Sequence, residues 1–247
     1  MNNTRDRFLT LFFVLQIAAC VPSVSKIYNG PEVTGTVVRL SNLTPVANAR
    51  ISYEGSSSSS SDISFTESNT QGQFTLIPVA TTKLEIRMPA HMLTHTVIYT
   101  HHASYGASAD VVQSLWMNRE YEQVDVGTII LDDNPTEYAS PLVENGVDIK
   151  SLKNNLQTQS LLGQCNYDEA TGAINKLNVV RKLASHIAQA KSDGTEPKIA
   201  SAYLQTMKEG TQDIWSHLIA SCNNGKPSDK LKKLKSQVVA ELVTDTL

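Results

Sequence analysis

The sequence predicts an α+β chain in which a β-rich half is followed by a helical half. Three observations carry this. Within residues 32–132, short runs of β-branched and apolar residues alternate with polar ones and are cut by turn residues. Towards the C-terminus the apolar residues instead recur at steps of three and four. Between the two regimes stands Asp132-Asp133-Asn134-Pro135, where short polar side chains and a proline favour a turn over either ladder. The expected organisation is a leader over residues 1–19, a tether over 20–31, a β module over 32–132 and a helical domain over 133–247.

The first boundary rests on residues 1–20. A stub carrying Arg5 and Arg7, offset by Asp6, precedes an apolar run over residues 8–19 that is interrupted by Thr10 and Gln16. A membrane-spanning helix needs about 20 apolar residues, so this run fits the shorter apolar region of a secretory signal. Ile17-Ala18-Ala19-Cys20 then resembles the lipobox of bacterial lipoproteins: an aliphatic residue, two small residues and a cysteine. That resemblance implies cleavage before Cys20, a diacylglycerol on its thiol and acylation of the new amino group. One acyl chain binds a membrane marginally, whereas two or more hold it stably. Val21, rather than Asp, follows the cysteine. By analogy with enterobacterial sorting, this implies the outer membrane. The expected location is the bacterial cell envelope, with the membrane as one partner and an envelope protein as another.

Composition sets limits on function. A net charge of −3 lacks the overall basic character that nucleic-acid binding uses. A hydrophobic content of 40% supports a folded core, and 6% aromatic content makes that core mainly aliphatic.

In the β module, Glu32-Val33-Thr34-Gly35-Thr36-Val37-Val38-Arg39-Leu40 is an alternating, β-branched run and predicts the first strand. Residues 41–45 form a loop, and residues 46–53 lead into a second strand. The serine-rich stretch 55–61 is low in complexity and is expected at an exposed hairpin tip. Strands are expected over 63–67 and 73–77, joined by a turn at Ser68-Asn69-Thr70-Gln71-Gly72. Lys83-Leu84-Glu85-Ile86-Arg87-Met88 alternates charged and apolar residues, as a half-solvated antiparallel strand does. Further strands are expected over 95–102 and 124–131.

Several of these segments together resemble the carboxypeptidase regulatory-like domain. They are Gly35-Thr36-Val37-Val38, Pro45-Val46-Ala47-Asn48-Ala49-Arg50-Ile51, Asn69-Thr70-Gln71-Gly72-Gln73-Phe74-Thr75-Leu76 and Val126-Gly127-Thr128-Ile129-Ile130-Leu131. The resemblance implies a transthyretin-like antiparallel β-sandwich of about seven strands, an accessory module without catalytic residues of its own. The chain departs from the family in an expanded loop at 56–61 and in a longer, less regular stretch over 90–123.

The helical domain is expected to be an antiparallel bundle. After a modest helix near 149–162, three stripes define longer helices. Ile174, Leu177, Val180, Ala184 and Ile187 make the first. Ile199, Tyr203, Met207, Ile214 and Leu218 make the second, and Leu231, Leu234, Val238 and Leu242 the third. Asn166 with Glu169 resembles a capping box. Ser192-Asp193-Gly194-Thr195 turns the chain, and Asn223-Asn224-Gly225 ends the second long helix. Short loops favour antiparallel neighbours, so Cys165 and Cys222 fall at meeting helix ends. With Cys20 lipidated, these two remain, and the meeting helix ends predict a disulfide between them rather than two buried thiols, as an oxidising envelope permits.

The search for chemistry yields few candidates. His91, His95, His101 and His102 cluster in sequence, with His91 and His95 spaced like helical metal ligands but without the glutamate of the zinc-protease motif. The alternative to a binding module is a metal-binding protein or metal-dependent enzyme built on these four. The competing reading is a set of surface histidines, and no cofactor is expected. Asp132 and Asp133 are either calcium ligands or a polar turn. Lys226, Lys230, Lys232, Lys233 and Lys235 are either a lipid-facing patch or the solvated face of the last helix. No Gly-x-Ser-x-Gly elbow or phosphate loop is present. The leading expectation is a non-enzymatic binding or assembly module.

Overall fold

The computed structural model describes residues 23–53, 65–85, 92–116, 122–138, 150, 153–154, 156, 165–194, 198–222 and 229–243. Cys20, His91 and Lys226 lie outside them. The fold is α+β. The strands come first: β1 (Ser23–Tyr28), β2 (Glu32–Arg39), β3 (Arg50–Tyr53), β4 (Phe65–Glu67), β5 (Gln73–Leu76), β6 (Ala80–Glu85), β7 (Met92–His102), β8 (Gly106–Trp116) and β9 (Gln123–Leu131). Three long helices follow: α1 (Tyr167–Ser192), α2 (Lys198–Ser221) and α3 (Asp229–Val243). Of the modest helix expected near 149–162, the described positions 150, 153, 154 and 156 are helical, and Leu156 is buried.

The strands form a two-stranded ribbon β1-β6, a three-stranded sheet β5-β2-β9 and a four-stranded sheet β4-β3-β7-β8. Three features correct the sequence expectation. Ser23–Tyr28, placed in the tether, is a strand paired with β6 from Ser23–Glu85 to Tyr28–Ala80. Its two serines and lysine hide it from a hydrophobic pattern. Secondly, Gly106–Trp116 is a regular strand inside the stretch expected to be irregular. Its alanines and serines have weak strand preference alone, but pairing with β7 runs unbroken from Met92–Trp116 to His102–Gly106. Finally, β2 and β9 are parallel, not antiparallel, paired from Glu32–Gln123 to Arg39–Leu131 with a register shift between Thr34 and Thr36. A parallel pair needs a long connection, and here all the intervening strands supply it.

Turn chemistry fixes the loops. Gly72 has φ +73°, and a Cβ there would come within 2.4 Å of the Val37 carbonyl oxygen, so no other residue fits without a shift. Asn69 Oδ1 accepts from the backbone N–H of Gln71 and of Gln73, each at 2.9 Å. That closes the turn between β4 and β5.

Two cores result. The first holds Val33, Val37, Phe74 and Ile129 of the three-stranded sheet together with Ile51, Tyr53, Ile98 and Val112 of the four-stranded one. The Tyr53 hydroxyl donates to the Pro31 carbonyl and lies 3.3 Å from that of Leu76. Burial first, and the charge of Glu32 second, push its phenol above the ordinary tyrosine range.

The second core joins strands to helices. Val38, Leu40, Val97, Ala109 and Ile130 share it with the helical stripes, including Ile174, Leu177, Val180, Met207, Trp215, Leu218, Val238 and Leu242. Helix α1 packs against β7, β8 and β9. It thereby covers the side of the four-stranded sheet that faces away from the first core, where Val97 and Ala109 alternate with Ile98 and Val112. Where α1 crosses β8 the contact is close: a Cβ on Gly172 would lie 2.6 Å from the Ala109 backbone nitrogen. Each large apolar side chain buried at this junction contributes about 1.5–3 kcal/mol.

Candidate functional site

The densest polar chemistry among the described residues lies along α1, on the side chains between its apolar positions. The helix is held at its start by Asn166, whose Oδ1 accepts from the Asp168 and Glu169 backbone N–H at 2.9 and 3.2 Å. From Glu169 to Ala184 most positions of α1 are buried, so its polar residues there must find partners inside the protein. Asn175 Nδ2 donates to the Ala107 carbonyl at 3.0 Å. Lys176 pairs with Asp110 of β8. Its ammonium comes near Gly210 of α2, where an added Cβ would stand 2.9 Å from Nζ. Arg181 forms a two-pronged pair with Glu241 of α3, its Nη2 donating to Oε2 at 2.6 Å and its Nε to Oε1. The two side chains are 1% and 0% exposed, so this is a fully desolvated ion pair.

Asp132 completes the belt. Its carboxylate accepts from Lys182 Nζ at 3.0 and 2.9 Å, from Asn178 Nδ2 at 3.0 Å and from the Asn134 N–H at 3.0 Å. An ammonium therefore sits where a calcium ion would need a shell of six to eight oxygens. Asp133 turns elsewhere and accepts from the Ser41 N–H at 2.6 Å. The two aspartates do not form a calcium site. They are anchors, one for α1 and one for the loop after β2.

Cys165 and Cys222 are joined by a disulfide that links the approach to α1 with the end of α2. Beside it lies a serine–carboxylate–histidine group. Ser221 Oγ is 3.3 Å from Glu169 Oε2 and 3.0 Å from the Leu218 carbonyl. His217 Nε2 is 3.9 Å from Glu169 Oε1. A nucleophilic triad places the imidazole between the hydroxyl and the carboxylate. Here the carboxylate stands in the middle, which is not the order of that triad. The group ties α2 to the first turn of α1.

The histidines are dispersed. His95 and His101 lie on the same side of β7 but six residues apart, which is about 20 Å along a strand. His102 faces the other side. Its Nδ1 accepts from the Ser104 N–H at 3.1 Å, and its ring stacks on Tyr105 with centroids 4.6 Å apart. One metal ion cannot reach both His95 and His101. Among the described residues no group of three His, Cys, Asp or Glu side chains is placed to hold a metal ion.

The polar belt is missing from the sequence reading, which follows only the apolar stripe of α1. A signal was present: Asn175, Lys176, Asn178, Arg181 and Lys182 alternate with that stripe too tightly for a helix with one solvated side. Asp132 is the counterpart of Asn178 and Lys182, while Lys176 and Arg181 meet Asp110 and Glu241.

No family model matches the chain, and no curated protein matches it. Among solved structures, 5-hydroxyisourate hydrolase of Klebsiella pneumoniae is similar at 8% identity and a TM-score of 0.24, over 40% of this chain and 90% of that one. A 9R-lipoxygenase from Cyanothece PCC8801 is similar at 12% identity and a TM-score of 0.25, over 79% of this chain and 30% of that one. Scores this low carry no conclusion about fold or chemistry.

Proposed function

We propose that this chain is a non-enzymatic lipoprotein of the bacterial envelope, anchored through Cys20 at the outer membrane and acting there as a binding or assembly module. The single observation that carries the proposal is the lipobox-like Ile17-Ala18-Ala19-Cys20 behind a short basic stub and an apolar run. The disulfide between the two remaining cysteines supports it, since such a bond persists in an oxidising compartment. So does the use of the buried polar groups: each one described above holds an element in place rather than facing an open site. On this reading the β half is a transthyretin-like sandwich, and the helices form a disulfide-closed bundle docked on it.

The test is mass spectrometry of protein purified from membranes. The expected N-terminal peptide begins at Cys20 and carries a diacylglyceryl group and an amide-linked acyl chain. In a Cys20→Ala variant this lipidated form is absent. A mature protein that begins elsewhere, or that has an unmodified thiol at Cys20, would overturn the proposal.

A further inference from the structure

We infer that the outward face of α3 rests on an anionic lipid surface. The inference builds on the reading of a membrane-held protein, but the face plays no part in lipid attachment.

Helix α3 buries Val238, Glu241 and Leu242. At about 100° per residue, its opposite side carries Asp229, Lys232, Lys233, Ser236, Ala240 and Val243. Lys232 and Lys233 are exposed, and Lys235 is half-buried at the border. The far end of the same face is apolar: Ala240 is exposed, and Val243, at 63% exposure, is one of the few large apolar side chains left open among the described residues. A stripe with lysines at one end and small apolar groups at the other suits the headgroup boundary, where ammonium groups meet phosphates and aliphatic groups leave water.

The placement of the lysines also needs an explanation. They stand near the N-terminal end of α3, where the helix dipole favours acids and disfavours cations. Asp229 offsets one of them, at 3.5 Å from Lys232 Nζ. Helix stability alone would select the opposite charges. The whole chain has a net charge of −3, so this positive face is a local departure able to orient the molecule in a negative field.

The cations of α3 are all lysines. Arginine is the side chain suited to two-pronged recognition of a discrete phosphate, while lysine acts as a mobile point charge. The face therefore fits a diffuse negative surface better than a single bound anion. An anionic bilayer supplies that surface, and each lysine near it adds to the attraction.

The experiment uses the full-length protein mixed with vesicles of phosphatidylcholine alone or of phosphatidylcholine with phosphatidylglycerol. Lysine acetylation is followed by peptide mass spectrometry, with the exposed Lys191 of α1 as internal reference. On anionic vesicles, acetylation of Lys232, Lys233 and Lys235 should slow about ten-fold or more relative to Lys191, and added salt should reverse this. In a Cys20→Ala background, which removes the anchor, a Lys232→Glu, Lys233→Glu, Lys235→Glu variant should bind anionic vesicles roughly a hundred-fold more weakly than Cys20→Ala alone, at about one kcal/mol for each lysine. Circular dichroism of the variant should match that of the parent. A milder Lys232→Gln, Lys233→Gln variant tests the same loss if the first does not fold. Equal acetylation on both vesicle types, or unchanged binding of the folded variants, would overturn the inference. So would equal protection by duplex DNA, which would make the face a general polyanion binder. The same spectra report whether Cys20 carries lipid, so failure of the anchor and failure of the face are seen separately.

Discussion

Arg181 and Glu241 show what a single residue decides in this fold. Both are buried, and each is the counter-charge of the other. Removing one leaves an unpaired charge in a dry core, which costs about 3–5 kcal/mol, whereas replacing both by apolar residues is often neutral or stabilising. Urea unfolding of Arg181→Met should therefore show a loss of that order, and the Arg181→Met, Glu241→Leu double variant should recover most of it. Additive losses would show that the ion pair is not the controlling interaction. Tyr53 makes the second prediction at this scale. Its phenol ionises later when folded than the ordinary tyrosine value of about 10. Above that pH the unfolded chain releases a proton that the folded chain keeps, so stability falls as pH rises. The contribution is fully present below about pH 10 and is lost progressively above it. Alkaline titration of phenolate absorbance should show a late component that appears with unfolding and is absent from Tyr53→Phe.

Among the elements, the junction of α1 with β8 and α2 is the most constrained. Gly172 admits no side chain without moving the helix away from Ala109. Gly172→Val should destabilise the protein by about 1–3 kcal/mol through overpacking, read as a lower urea midpoint. The disulfide closes a chain separation of 57 residues. In the chain-entropy model, its removal by Cys165→Ser and Cys222→Ser costs about 4 kcal/mol. A much smaller loss in the midpoint-derived stability would point to residual structure in the unfolded chain. Much at this scale was legible in the sequence. The stripe from Ile174 to Ile187 is buried throughout, and the predicted cap at Asn166 is made. Periodic apolar residues announce themselves because one pattern serves one partner surface. Strands β1 and β8 were not legible, since serine, alanine and lysine acquire strand geometry here from a paired neighbour. The fate of Asp132 was equally hidden: a carboxylate that binds calcium and one that binds Lys182 look the same in sequence.

For the molecule as a whole, the sequence separates a β module from a helical domain, while the packing gives them a common core through Val38, Val97, Ala109 and Ile130. Where strands and helices share buried surface, they should unfold together. With Trp116 replaced by phenylalanine, the fluorescence of Trp215 in α2 reports the helices. Its thermal transition should coincide with that of the near-ultraviolet tyrosine signal, to which Tyr53 and Tyr99 of the sheets contribute. Two separated transitions would show independent domains. The docking was invisible beforehand because alanine and valine on a strand do not say whether a sheet or a helix will cover them. The parallel pair β2-β9 has a further, mechanical consequence. The chain reaches the start of β2 from β1 and leaves the end of β9 towards the helices, and β2 and β9 point the same way. Tension between the start of β2 and the end of β9 would slide these strands lengthwise past each other, loading their backbone bonds together instead of peeling them apart one by one. The pair thus has the geometry of a shear clamp, placed where a pull on one end meets a load on the other.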